Sequence, residues 1–329
     1  MVQERTLISV VIPCYKSANT IEGVVQELEE TLETRSSEYA YEIILVNDGS
    51  PDGGATHTKL KELSEHAAHI VVVNLAHNFG QHPAIMAGFH EVHGQIVVCM
   101  YDDGQTPPNE VYKLIDKVAE GYDIAYASYG QGKRHSAWRN LGSQFNELTA
   151  RKYMKVPRDL EVTSYFAVKR FAVDSAIRYS NPYPFVEGLL FQAVETYCNV
   201  PVKHRSRVSG ESGYTMAKLI SLWSNGVTAF SVQPLRIAAW VGVILAIIGF
   251  IQGIIIVVHK IVDPSLNEGW ASIIDALVVI GGLILLMMGI IGEYVGRIYL
   301  SLNAIPQYVV RDKIDHRLPN GTDGRNGTC

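Results

Sequence analysis

The sequence predicts an α/β domain on a mainly parallel sheet, followed by two apolar helices of membrane-crossing length. Three observations carry that reading: short β-branched runs alternate with amphipathic helical stretches in the first half, polar turns follow those runs, and two stretches after about residue 235 are almost free of charge.

The first run, Leu7 to Ile12, is ended by Pro13. Ile21, Val24, Val25, Leu28 and Leu32 then fall on one helical face, with Asn19 and Glu22 at capping-box spacing ahead of it. A second run, Tyr41 to Val46, is closed by Asn47-Asp48-Gly49. Ile70 to Leu75 and Ile96 to Met100 supply two more buried strands, separated by a helix expected to begin at Pro83. Alternating strands and helices imply right-handed crossovers and a parallel sheet covered on both faces. In such sheets ligands bind beyond the carboxyl ends of the strands, where this chain carries its polar turns.

With 329 residues, 47% hydrophobic and 19% charged, the chain can bury one sizeable core and still carry accessory segments. Its 28 Lys+Arg against 33 Asp+Glu exclude a globally basic, nucleic-acid-binding surface, so any anion site must be local. Cys14, Cys99, Cys198 and Cys329 lie far apart with no CxxC pair, which fits a reduced, cytosolic compartment. Met1 to Thr6 leads straight into the first strand without the features of a signal peptide.

Ile237 to Val258 contains no charged residue and Ala271 to Gly292 only Asp275, each near the roughly 20 residues that cross a bilayer. Neither has the polar stripe of a globular helix. Lys203, Arg205, Arg207, Lys218 and Arg236 precede the first stretch, and Arg297, Arg311, Lys313 and Arg317 follow the second. The connection offers Lys260 against Asp263 and Glu268, so it is expected outside, with both flanks cytoplasmic. Met216, Leu219, Ile220, Trp223, Val227 and Phe230 recur at helical spacing, as in a helix lying in the membrane surface or one packed on the soluble core. The expected organisation is a cytoplasmic catalytic domain over residues 1–214, a juxtamembrane interfacial region over 215–234, two transmembrane helices over 235–300, and a cytoplasmic tail over 301–329 with a disordered end. The two Asn-Gly-Thr triplets of that tail match glycosylation acceptors but would be inert in the cytoplasm.

Tyr101-Asp102-Asp103-Gly104-Gln105-Thr106-Pro107-Pro108 follows the fourth strand directly. Hard oxygen ligands gathered at a strand end suit Mg²⁺ or Mn²⁺, which bridges diphosphate oxygens and neutralises a leaving group. Tyr15, at the exit of the first strand, can stack on a base, and Asp48 can accept an imide N–H, a pairing that suits uracil; the alternative is that Asp48-Gly49 is only a turn. Gly80, in Asn78-Phe79-Gly80-Gln81-His82, would let backbone approach a ligand at a helix N-terminus. His77 and His82 read as surface or cap residues.

Pro13-Cys14-Tyr15, Asn47-Asp48-Gly49-Ser50, Asn78-Phe79-Gly80, Asp102-Asp103-Gly104-Gln105 with its Pro pair, and Gly210-Glu211-Ser212-Gly213-Tyr214 occur in the order of the landmarks of the family 2 glycosyltransferases, which this chain resembles. The similarity is closest to the polyprenyl-phosphate branch, which includes dolichyl-phosphate mannose synthase and undecaprenyl-phosphate sugar transferases, and it extends to Glu293-Tyr294-Val295-Gly296-Arg297. The resemblance implies a GT-A, Rossmann-like fold, a nucleotide-diphosphate sugar, a divalent metal, inversion at the anomeric carbon and a polyprenyl phosphate acceptor. With the uracil pairing of Tyr15 and Asp48 the expected donor is a UDP-sugar, and with the two apolar stretches a multi-pass enzyme of the cell membrane is expected. Asp103 and Gln105 match metal-binding positions. The family's turn often begins with Asp where this chain has Tyr101, which leaves the share of Asp102 in the metal shell open. On the donor side the resemblance implies Pro13, Tyr15, Asp48, Ser50, Asn78, Gly80, Asp102 and Arg139, the last either on the diphosphate or in a salt bridge. Arg207, Ser212, Tyr214 and Lys218 match the acceptor-phosphate segment, and Asp103, Arg207 and Lys218 are the residues expected to carry catalysis.

A phosphate acceptor needs no general base, because its oxygens are already anionic at neutral pH. The Gln-x-x-Arg-Trp signature of processive polysaccharide synthases is absent from the chain. The rivals are a same-fold transferase acting on a hydroxyl, in which Glu187 would be the base rather than structural, and a non-enzymatic membrane component, which leaves the donor motifs unexplained. Thr163, Ser164 and Tyr165 are candidates to line the sugar pocket. Apolar helix faces permit homo-oligomers without requiring them.

Overall fold

The first two β-branched runs form strands longer than expected, Thr6–Cys14 and Tyr39–Asn47, because each ladder continues while a neighbour offers partners. The third matches at Ile70–Leu75, and the fourth stops one residue early, at Cys99. The computed structural model describes residues 5–129, 160–203, 205, 233–262, 269–303 and 305–317. In it β1 (Thr6–Cys14), β2 (Tyr39–Asn47), β3 (Ile70–Leu75) and β4 (Ile96–Cys99) lie parallel in the order β3-β2-β1-β4. Every residue of β3 and β4 is buried, as expected of parallel strands covered on both faces.

Helix α1 (Ile21–Glu33) buries the five residues that the periodicity picks out, Ile21, Val24, Val25, Leu28 and Leu32. The capping box does not form: Thr20 is the N-cap and makes no side-chain cap bond, and the Ser17 carbonyl accepts the N–H groups of Thr20 and Ile21, each at 3.0 Å. Helices α2 (Ala55–His66) and α3 (Gln81–Phe89) follow, α3 starting two residues before Pro83. A 3₁₀ turn, Pro108–Glu110, leads into α4 (Val111–Ala119).

The sheet then changes direction. β5 (Ile124–Ser128) and β6 (Phe166–Lys169) pair antiparallel, and β6 also runs antiparallel to β4. Helices α5 (Arg170–Ala176) and α6 (Val186–Ala193) precede β7 (Tyr197–Pro201), which runs parallel to β5. Helices α7 (Gln233–Val262) and α8 (Trp270–Leu302) form a separate unit, residues 222–305. Each contains a membrane-length apolar window, Ala238–Ile255 with mean hydropathy 2.3 and Ile280–Leu300 with 1.6. Trp240, Phe250, Leu277 and Leu285 are roughly 70% exposed. Such a surface is unfavourable in water.

The expectation of a tail after residue 300 needs one correction. β8 (Val310–Asp315) returns to the first unit and pairs antiparallel with β3, completing an eight-stranded sheet in the order β7-β5-β6-β4-β1-β2-β3-β8. It covers the β3 edge, which would otherwise present unpaired main-chain groups. Side chains fasten it. Lys313 meets Glu91 at 2.9 Å, and Arg317 donates to Glu42 at 2.6 Å and to Asp315 at 2.7 Å. Glu42 is buried and also accepts the Ser9 hydroxyl at 2.5 Å and the His93 N–H at 2.6 Å. Burial alone would raise its carboxyl, but those bonds and the Arg317 charge outweigh burial and hold it below 4.5.

Arg317→Ala strands a buried carboxylate and should cost about 3 kcal/mol, read as faster deuterium exchange over residues 310–315. Because Glu42 is held below 4.5, its stabilisation is complete above that value and is lost as pH falls through the lowered one. Exchange in the unaltered protein should therefore rise only in acid. Wild-type protection of β8 in the variant would contradict this account.

Candidate active site

β1, β2, β3 and β4 end on one edge, and four loops meet there. The first follows Cys14, the second is Asp48 to Ser50, the third is Ala76 to Gly80, and the fourth is the acidic turn. Backbone N–H groups in such loops have no ladder partner and must be satisfied by side chains.

Asp48 meets that need for the third loop. Its carboxylate is buried and accepts the N–H of Phe79 at 2.8 Å and of Gly80 at 2.9 Å. The Gly80 amide thus faces the protein's own carboxylate rather than an outside anion. Gly49 has φ +53, and a Cβ there would lie 2.1 Å from the His77 carbonyl carbon, so only glycine lets the second and third loops touch. Ser50 accepts the Lys16 N–H at 3.0 Å and donates to Asn47 at 2.7 Å, joining the first two loops. Asn47 in turn donates to Asn74 at 2.7 Å, and Asn74 to Asp312 at 2.9 Å. This amide relay runs from the first two loops to β8 and includes Asn74 and Asp312, which the motif reading passed over. Polar side chains at aligned strand ends were its only trace in the sequence.

Pro13 is buried within β1, where it shapes the strand's exit rather than lining an opening. Tyr15 is 44% exposed, and the Lys16 ammonium lies over its ring, 5.6 Å from the centroid. Asn78 is exposed, and its carbonyl lies 3.2 Å from His77 Nδ1.

The acidic turn folds on itself. Thr106 Oγ1 accepts the Tyr101 N–H at 3.2 Å, Asp103 Oδ1 accepts the Gln105 N–H at 3.0 Å, and Gly104 has φ +74. Tyr165 supports the turn through a 3.1 Å bond from its hydroxyl to the Pro107 carbonyl. Asp102 turns toward the first loop, accepting the Tyr15 N–H at 3.0 Å and the Ser17 hydroxyl. Burial, with a smaller contribution from the Asp103 charge, raises the Asp102 carboxyl above its ordinary 3.8 despite those bonds. The Tyr101 hydroxyl is hydrogen-bonded to Ser164 and Gln81, and burial raises it above 10. The phenol that replaces a carboxylate here thus ties the turn to α3 and to the residues preceding β6.

The donor set suits a hard cation that brings other ligands with it. Among the described residues no group of three or more His, Cys, Asp or Glu could enclose a metal. One turn carries the two carboxylates and the Gln105 amide, and Asp102 already spends one oxygen on the first loop. Mg²⁺ and Mn²⁺ accept such a partial shell, completing it with water and diphosphate oxygens. Arg139, Arg207, Ser212, Tyr214, Lys218 and the interfacial stretch 216–230 lie outside the described residues. Arg205, counted above among the basic flank, is bound by Glu27 at 2.7 and 2.8 Å.

A mainly parallel Rossmann-like sheet with an acidic turn after its fourth strand defines a GT-A glycosyltransferase. The chain belongs to glycosyl transferase family 2: residues 9–177 match that family and residues 233–298 match the GtrB C-terminal hairpin. It is 32% identical over 308 residues, 92% of each chain, to the undecaprenyl-phosphate 4-deoxy-4-formamido-L-arabinose transferase of Klebsiella pneumoniae (strain 342). Among solved structures it is similar to glucosyl-3-phosphoglycerate synthase of Mycobacterium tuberculosis in complex with Mn²⁺, UDP and phosphoglyceric acid. That match has a TM-score of 0.50 and 18% identity, and covers 68% of this chain and 76% of the other. At that identity it supports the fold alone.

Gly49→Ala should cost about 2 kcal/mol or more, from left-handed strain plus the clash with His77. A thermal midpoint several degrees lower is the expected result. An unchanged midpoint would show that the two loops are not locked there.

Proposed function

We propose that this glycosyltransferase moves a sugar, with inversion, from a UDP-sugar to a polyprenyl phosphate at the cytoplasmic membrane face. The observation that carries the reading is the meeting of four loops around the Asp102-Asp103 turn in a chain that aligns, over 92% of its length, with a transferase named for undecaprenyl phosphate.

In this reading the exposed Tyr15 ring stacks on the base and Asp48, already oriented by two backbone N–H groups, accepts the base's imide N–H. Ser50, Asn78 and Arg139 complete the donor side. Asp103 and Gln105, with Asp102 behind them, would hold Mg²⁺ or Mn²⁺, which would supply charge to neutralise a departing diphosphate. Arg207 and Lys218, with Ser212 and Tyr214, hold the acceptor phosphate in line behind the anomeric carbon. That phosphate attacks without surrendering a proton, so no base is required.

Connectivity favours the membrane placement. α7 and α8 leave the first unit and the chain returns to it as β8, which needs an even number of crossings. Among the described residues two apolar windows lie between the first unit and β8, which supports two crossings. The basic flanks set the catalytic unit on the cytoplasmic side. The exposed apolar faces leave room for self-association within the bilayer.

The test is incubation of the purified protein with a panel of nucleotide sugars, Mn²⁺, and either undecaprenyl phosphate or diacylglycerol, followed by mass analysis of the lipid. A glycosyl-phospholipid formed only with the phosphate is expected. A product only on diacylglycerol would overturn the acceptor reading. Asp103→Ala should lower turnover at least about 100-fold with its circular dichroism unaltered, and near-normal turnover would refute the metal role.

A further inference from the structure

Two helices present their first turns to each other beside the acidic turn. α3 and α6 pack together, bringing His82 of the first and Glu187 of the second within 3.5 Å, Nδ1 to Oε2. Neither atom has a hydrogen-bond partner, and both are buried. Glu187 is only 7% exposed. The Phe185 ring meets the His82 ring edge-on at 5.0 Å, and Val186 and Leu190 are fully buried beside the pair. The Tyr126 hydroxyl, close enough for the Glu187 charge to act on it, is likewise buried without a partner.

An unsatisfied buried polar atom is costly, and several at one place call for an occupant. The surroundings say where that occupant comes from. Gln81, the residue before His82, bonds the Tyr101 hydroxyl, and Glu187 is among the charges acting on Tyr101, which directly precedes Asp102 and Asp103. Ser164, a candidate for the sugar pocket, closes the same hydroxyl from the β6 side. The pair therefore adjoins the end of the site where the group attached to the diphosphate would rest.

Its chemistry narrows the occupant further. A carboxylate offers acceptors only, so it rejects phosphates and carboxylates and takes a neutral group with a donor hydrogen. An imidazole Nδ1 can serve the same group as donor or acceptor. A hydroxyl or an amide meets both. We propose that Glu187 and His82 recognise the transferred sugar through a hydroxyl or amide substituent on a ring carbon other than the anomeric one. The inference rests on the donor reading above and deepens it. It also gives Glu187 a task other than that of general base, which a phosphate acceptor leaves without a proton to take.

The experiment is calorimetric titration of the full-length protein in detergent with Mn²⁺, using UDP, UDP-glucose, UDP-xylose and UDP-N-acetylglucosamine, on the unaltered chain, Glu187→Gln and His82→Gln. For whichever nucleotide sugar binds tightest, each variant should lose about tenfold in affinity while its Kd for UDP stays within about twofold of wild type. Nucleotide sugar bound as tightly as by wild type would overturn the proposal, even with a shifted thermal midpoint, since the pair would then serve only the fold. An equal loss for UDP and its sugars would overturn it as well. Failure of the unaltered chain to bind UDP would instead sink the donor reading, and this inference with it.

Discussion

The carboxyl edge of the sheet depends on two carboxylates that point inward to main-chain N–H groups. Asp48 holds the N–H groups of Phe79 and Gly80, and Asp102 holds the N–H of Tyr15 together with the Ser17 hydroxyl. Parallel strands deliver their loops to one edge but leave loop amides without ladder partners, and buried unpaired amides are costly. Anions supplied by the protein itself solve this, and they bind N–H groups more strongly than neutral acceptors would. The loops are thereby set before any ligand arrives, so less ordering remains to be done on binding.

This division of labour bears on the departure at Tyr101. A turn beginning with a third carboxylate would concentrate negative charge around Asp102, whose carboxyl burial and Asp103 already push upward. The phenol removes that charge and supplies a hydroxyl that joins Gln81 and Ser164. In the proposed function the metal-facing role then falls to Asp103 and Gln105, while Asp102 holds the first loop. The same edge is tied through Asn47 and Asn74 to Asp312 on β8. The strand that follows the apolar hairpin is thus hydrogen-bonded, two residues removed, to the loop that carries Asp48.

The parallel sheet and its helices were legible because burial on both faces leaves a plain signature. The all-buried runs of β3 and β4 and the five buried positions of α1 are of this kind. β8 was not legible: Val310-Arg311-Asp312-Lys313-Ile314-Asp315 is a mostly exposed edge strand, held by its ladder and by ion pairs that no period in the sequence marks. The capping box failed because the first turn's N–H groups find the Ser17 carbonyl instead of a side chain. At the site, motif residues were found at the right edge, but motif spacing could not say which way a carboxylate faces. Asp48 and Asp102 face the backbone, and Pro13 is buried. His82 and Glu187 lie more than a hundred positions apart, so only packing reveals that they meet.

The central claim is that the acidic turn binds a nucleoside diphosphate through a cation held by Asp103, on loops that are already set without it. It is tested most directly by titrating UDP into the protein with and without Mn²⁺, in the unaltered chain and in Asp103→Asn. The account predicts that Mn²⁺ tightens UDP binding to the unaltered chain at least about tenfold, and that Asp103→Asn abolishes this increment while keeping the metal-free affinity. A full Mn²⁺ increment in Asp103→Asn would contradict it.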